Sequence, residues 1–229
     1  MVDSVAISIA PVEPVGDWLS LKASIAAWLN RDDLTSSQLT EFIALAEARF
    51  NRVLRHPEME RVVTTNLTAG NNALPSDFLA MKALYRGTYP LDAMTPTGLV
   101  EEYGSTTGPP SAYALIGGNP RKIRLGPQPA LDGSEYETFP VTMVYYAKIV
   151  GVDENNADNW LLNEHPDLYL WGCMLSAEAF LANDSRLGIW KAAYDEALAE
   201  LMAAGDRDRF GTGPIVTPAP VRAVSGVRA

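Results

Sequence analysis

Residues 166–182 read PDLYLWGCMLSAEAFLA, and this run constrains the chain more than any other. Pro166 suits a first helical turn, where its missing N–H is not needed. Beyond it, apolar side chains fall on almost every face instead of along one stripe. A helix of that kind is buried on all sides, so other elements must surround it. The run is too short to span a bilayer and it contains Glu178, which excludes a transmembrane reading. Cys173 lies inside it, and a single cysteine gives no disulfide framework within the chain. A buried structural thiol in a soluble protein made in a reducing compartment is the expectation.

Three other segments offer the stripes that such a helix needs. Asp17 or Ser20 caps a first helix reaching about Asn30, with Leu21, Ile25, Trp28 and Leu29 at helical spacing. Thr35 or Ser36 caps a second, whose stripe is Leu39, Phe42, Ile43, Ala46, Phe50, Val53 and Leu54 and which stops before Pro57. Asp184 or Ser185 caps the last, with Leu187, Trp190, Tyr194, Leu198 and Leu201 on its face and Gly205 as its stop. Residues 17–57 and 159–205 therefore predict a four-helix bundle.

Between them the rhythm changes. Residues 61–67, 78–85, 89–91, 112–116, 122–125 and 139–149 read as short strands. Turn signals at Ala69-Gly70-Asn71-Asn72, Pro75-Ser76-Asp77 and Gly117-Gly118-Asn119-Pro120 separate several of them. Residues 95–103 suit a small helix with Pro96 in its first turn. The fold class expected is α+β: a four-helix bundle of the N- and C-terminal helices with a small antiparallel β module, residues 58–152, inserted into it, and extended terminal arms.

Those arms are residues 1–16, which carry Pro11 and Pro14, and residues 206–229. The last nineteen residues, GTGPIVTPAPVRAVSGVRA, contain three prolines and three glycines and have no helical or strand period. Ordering each residue costs roughly 1–2 kcal/mol, so such a segment is held only by a surface on which it lies. Ile215, Val216, Pro218, Val221, Val224 and Val227 offer apolar pegs, and Arg222 and Arg228 offer charge. The partner-interface residues are expected there, on an arm that embraces another polypeptide; the alternatives are an arm packed along its own domain or held by a crystal contact. Residues 206–229 hold four arginines and two aspartates, so a chain of net charge −10 has a body of −12 and a basic tail. An acidic body repels phosphates and speaks against a protein that grips DNA. It is compatible with one that DNA slides past.

Catalytic patterns do not emerge. His56 and His165 are the only histidines, and each reads as a helix-end residue; at His56 a positive imidazole suits the helix dipole. No zinc spacing, phosphate-binding loop or nucleophile elbow is present. Glu101-Glu102 and Asp153-Glu154 are adjacent in sequence and diverge by about 100° on a helix. Residues 153–158 resemble a calcium loop only loosely, without its glycine and terminal glutamate. Catalytic, metal and cofactor residues are each expected to be none. Arg121, Lys122 and Arg124 are expected to protect a solvated strand edge, the alternative being contact with DNA or an acidic neighbour.

Several stretches together resemble the head-to-tail adaptor (connector) proteins of tailed, especially short-tailed, bacteriophages. They are AAWLNRDDL at 26–34, FIALAEAR at 42–49, Leu54-Arg55 with Glu58-Met59-Glu60, and LPSDF at 74–78. YYAKI at 145–149, NWLL at 159–162, PDLYLWG at 166–172 and residues 190–201 continue the series. The resemblance implies a structural virion protein, not an enzyme, made in the host bacterial cytoplasm. It would assemble with itself as a ring of twelve copies, dock under the portal protein and receive a tail nozzle or neck protein. Genomic DNA would pass through the lumen without sequence-specific binding, and no membrane is involved. The C-terminal arm would grip the portal. Two other readings stand beside it: a neck or head-completion protein of a long-tailed phage, and a small acidic hydrolase or ligand-binding domain with a deep pocket lined by converging carboxylates.

Overall fold

The computed structural model describes residues 15–129, 138–181 and 186–210. Helix α1 (Trp18–Leu29) starts where the Asp17 carboxylate accepts from the Ser20 N–H at 2.7 Å, and Ser20 Oγ returns the bond to the Asp17 N–H at 3.0 Å. It stops at Asn30, which takes a left-handed φ of 54°. Helix α2 (Ser36–Val53) opens on the same reciprocal cap, made by Thr35 and Gln38. A 3-10 turn (Pro57–Met59) leads into β1 (Glu60–Thr68), β2 (Asn71–Ala73), β3 (Phe78–Arg86), β4 (Tyr89–Pro90) and β5 (Asp92–Met94). Next come α3 (Pro96–Tyr103), β6 (Ala112–Ile116), β7 (Lys122–Gly126) and β8 (Thr138–Ala147). The chain returns to helix with α4 (Trp160–Glu164), α5 (Pro166–Leu181) and α6 (Leu187–Phe210).

The α+β class holds, but a four-helix bundle with a small β module does not describe this chain. The described residues form six α-helices and two four-stranded sheets. The first sheet runs β1-β8-β3-β4 and the second β2-β7-β6-β5. They face each other across a core of their own, in which Leu67, Leu84, Val141 and Met143 meet Tyr113, Ile123 and Leu125. The module is not purely antiparallel either: β5 pairs with β6 in parallel. Helix α3 belongs to this half, with Leu99 on Ala112 and Ala114. Helix α4 is separate because Asn159 caps it and His165 ends it, just before Pro166 starts α5.

Alternation explains β8. Val141, Met143, Tyr145 and Ala147 are buried between the sheets, whereas Thr142, Val144 and Tyr146 lie half-buried on the outer face. At its end the chain crosses to the helical half, where Ile149 and Val152 join the second core.

That second core is organised by α5, which packs against α1, α2, α4 and α6. Leu168, Tyr169, Cys173, Met174 and Ala177 are all fully buried on it. The all-round apolar run is thus a central helix. Gly172 lets α2 approach closely: a Cβ there would lie 2.8 Å from the Phe50 ring. Two stripe residues depart from expectation. Trp28 is half-exposed and meets Trp171 edge-on with ring centroids 5.2 Å apart, and Val53 is exposed. Nor does α6 stop at Gly205; it continues through the Asp206-Arg207-Asp208-Arg209 block to Phe210.

Candidate assembly surfaces

Two crossings join the helical and sheet halves, and each is fastened by polar side chains. At residues 149–152 the backbone is bonded to α2: Ile149 N–H donates to Asn51 Oδ1 at 2.8 Å, and Val152 N–H to Glu47 Oε1 at 2.8 Å. The Tyr169 hydroxyl donates to the same Glu47 oxygen at 2.6 Å. Asn159 completes the network, donating to Val150 O at 2.7 Å and to Tyr169 Oη at 3.1 Å while accepting from Leu162 N–H. Burial raises the Glu47 carboxyl above its ordinary value, although both bonds it accepts oppose that shift. Burial and the neighbouring Glu47 also raise the Tyr169 hydroxyl, so it stays a donor.

The other crossing, residues 54–60, is held by the last turn of α6. Arg209 Nη2 donates to Arg55 O at 3.2 Å and to Tyr146 Oη at 2.9 Å, and lies 3.5 Å from Glu60 Oε1. One turn earlier, Gly205 fits under His56: a Cβ there would lie 2.5 Å from its Cδ2. His56 is buried and stacks on Trp160 at 5.3 Å, and its Nδ1 accepts from Glu58 N–H at 3.3 Å. Burial lowers its pKa from the usual 6.5. The imidazole is a neutral acceptor capping the 3-10 turn, so the helix-dipole role expected of it does not apply.

A cleft of about 510 Å³ lies between the halves, lined by Pro57–Arg61, by Ala147–Val150 and by Asn156, Asp158, Asn159 and Trp160. Glu60 in its wall is paired with Lys82 at 2.6 Å, so that carboxylate already faces cations. Among the described residues no three His, Cys, Asp or Glu side chains gather as a metal group. Asp153, in the loosely calcium-like stretch, instead accepts from Asn155 and Asn156 N–H at 2.7 and 2.9 Å. Burial pushes the Cys173 thiol well above its ordinary range.

Exposed apolar side chains mark the outside. Leu19 and Ile189 on the helical half, and Val62 and Tyr89 on the sheet half, are 67–70% exposed. Arg186 Nη1 donates to Trp28 O at 3.0 Å and lies over the Trp190 ring, which brings the half-exposed Trp28 beside the first turn of α6. Exposed apolar side chains thus occur on both halves.

The SU10 adaptor protein family model matches residues 17–220. This chain belongs to the SU10 adaptor protein family. The match begins at the cap of α1 and covers both cores and every described element. The adaptor is therefore a structural bacteriophage protein, of a family that is not enzymatic. No curated protein matches the chain. The arm residues Ile215, Val216, Pro218, Val221, Arg222, Val224, Val227 and Arg228 lie outside the described residues. Nothing in the sequence assigned Glu47, Asn159, Tyr169 or Arg209 the role of fastening the two halves. Their partners stand up to 154 positions away, and the available local signal was only a polar residue within an apolar stripe. No helix among the described residues is long and apolar enough to cross a membrane.

Proposed function

We propose that this adaptor closes into a ring, twelve copies around, which docks beneath the portal and receives the tail nozzle or neck protein on its other side. The observation that carries this reading is the family match across both halves of the body. Exposed apolar side chains on each half support it, because a head-to-tail contact needs two different surfaces on one molecule, and closure then follows from the rotation between neighbours. In the virion, at the head–tail junction, the lumen passes genomic DNA; the net charge of −10 favours passage over adhesion. The basic C-terminal arm, residues 211–229, lies along the portal with Val216, Val221, Val224 and Val227 as pegs and Arg222 and Arg228 as ionic contacts. Many arms acting together make docking avid.

The test is a chain truncated after Phe210. Its body unfolds at the same temperature as the full chain, but it no longer joins portal-bearing heads in a sedimentation assay. Normal joining by the truncated chain refutes the role given to the arm, and electron microscopy of the particle reads the copy number directly.

A further inference from the structure

Strand β1 ends the first sheet, and no strand among the described residues pairs with its outer edge. Its partner on the inner side is β8, paired from Glu60↔Tyr146 to Thr68↔Thr138. At Thr68 both backbone groups turn away from β8: the N–H donates to Asn72 Oδ1 at 3.0 Å, and the C=O accepts from Asn72 Nδ2 at 2.8 Å. Backbone groups alternate sides along an antiparallel strand. The N–H and C=O of Val62, Thr64 and Asn66 therefore point the same way, and no strand among the described residues lies on that side. Asn72 imitates a neighbouring strand for one rung only.

The side chains indicate that a strand is missing there. Val63 faces the space between the sheets, opposite Met143. Met143 is 2% exposed, yet Val63 is 36% exposed. The flank of the inter-sheet core is thus uncovered at the Val63 end of β1, whereas Thr65 is half-buried and Leu67 is 3% exposed farther along the same face. An unpaired strand edge with exposed β-branched side chains, here Val62 and Val63, is a site of strand addition.

The occupant that fits is in the chain itself. Residues 4–10 read SVAISIA, with Val5, Ile7 and Ile9 alternating with Ala6, Ser8 and Ala10. This is a period-two, β-branched segment without proline. It lies outside the residues matched by the adaptor family, so the family's shared core has no assigned use for it. The chain that follows it reaches the body at the right place. Trp18 N–H donates to Ala157 O at 2.7 Å, next to Asn156 and Asp158 on one wall of the cleft whose other wall holds Glu60 and Arg61, the first residues of β1. The five steps from Ala10 to Val15 span up to about 17 Å.

We infer that residues 4–10 form an additional strand on the open edge of β1 in the same molecule, antiparallel to it, with Val5, Ile7 and Ile9 covering the flank of the inter-sheet core. In the register set by the two alternations, Ser8 and Ala6 exchange backbone hydrogen bonds with Val62 and Thr64, and Ile7 sits opposite Val63. The inference stands independently of ring formation.

Two measurements on the full chain test it. In Ile7→Cys/Val63→Cys, mild oxidation gives a disulfide within one chain in most molecules, read by intact mass and peptide mapping; Cys173 is buried and does not compete. Ala6→Cys/Val63→Cys, on the wrong face, gives at least tenfold less. Equal yields from the two pairs overturn the register, and links found only between chains overturn the intramolecular assignment. Second, deleting residues 1–10 speeds hydrogen exchange at the Val62, Thr64 and Asn66 amides at least tenfold, whereas Val63 and Thr65, bonded to β8, change little. Unchanged exchange at the first three amides overturns the added strand.

Discussion

The Tyr169 hydroxyl on α5 and the Glu47 carboxylate on α2 share a 2.6 Å hydrogen bond beneath the crossing at residues 149–152. The bond holds an acid in a place that disfavours its charge. Because burial raises the folded-state pKa of Glu47 above its ordinary 4.5, the folded protein binds this proton more tightly than the unfolded chain. The stability linked to Glu47 is complete below about pH 4.5 and is lost as the pH rises through the folded-state value. Glu47→Gln keeps an oxygen that accepts from both Tyr169 and Val152 and removes the titration. Its melting temperature relative to wild type should rise from pH 4.5 to pH 8, which thermal unfolding across that range measures. Tyr169→Phe, by contrast, should cost about 1–3 kcal/mol at neutral pH, because a buried acceptor loses its donor.

Gly205 lies inside a helix, where alanine is ordinarily better by about 1 kcal/mol. Here the methyl would lie 2.5 Å from His56 Cδ2 and 3.0 Å from Pro57 Cδ. The imidazole cannot easily retreat, since it stacks on Trp160. Gly205→Ala should therefore destabilise the protein by about 1–3 kcal/mol, the usual cost of overpacking. Chemical denaturation of the two proteins decides the sign.

His56 makes the fold acid-sensitive. Its folded-state pKa is lowered below 6.5, mainly by burial, so acid protonates the unfolded chain first. Stability linked to His56 is full above about pH 6.5 and falls as the pH drops through the folded-state value. His56→Phe keeps a ring against Trp160 and should flatten that decline between pH 6.5 and 5, at a fixed cost of about 1 kcal/mol for the lost cap to Glu58. Melting curves of both proteins in that interval check it.

Arg209 fastens the last turn of α6 to the crossing at residues 54–60. Arg209→Met keeps much of the side-chain volume and removes the bonds to Arg55 O and Tyr146 Oη. The variant should stay folded with a loss of about 1–3 kcal/mol, and amide exchange should speed up most over residues 205–210. Uniformly unchanged exchange there would show that the last turn of α6 stands without it.

Local signals in the sequence located most elements. Asp17, Thr35 and Pro96 sit where helices begin, because caps and N-terminal prolines act within one turn. The apolar run gave the central helix, although its burial is not complete: Phe180 near its end is 54% exposed, and Trp171 and Leu175 are half-buried. Partnering over distance was less legible. Nothing near Asp92–Met94 announces a parallel strand, because its partner follows α3. The division into two sheets depends on which faces meet, and alternation alone does not choose between one sheet and two. Gly205 read as a helix stop because glycine usually is one; its real reason is an aromatic ring brought from His56. The arm residues 215–228 lie outside the described residues, so their portal contact belongs to the proposal above. The fastening roles of Glu47, Asn159 and Arg209 were not legible from their local signals, a polar residue in an apolar stripe or at a helix cap, as those roles exist only once the two halves meet.

Both passages between helices and sheets are thus pinned to neighbouring elements, one by Asn51 and Glu47 and the other by Arg209. A lever with two welded joints transmits load rather than folding at the elbow. Force applied to the sheet half should therefore reach the helical half as a whole-body displacement, because bending at either crossing first breaks these bonds.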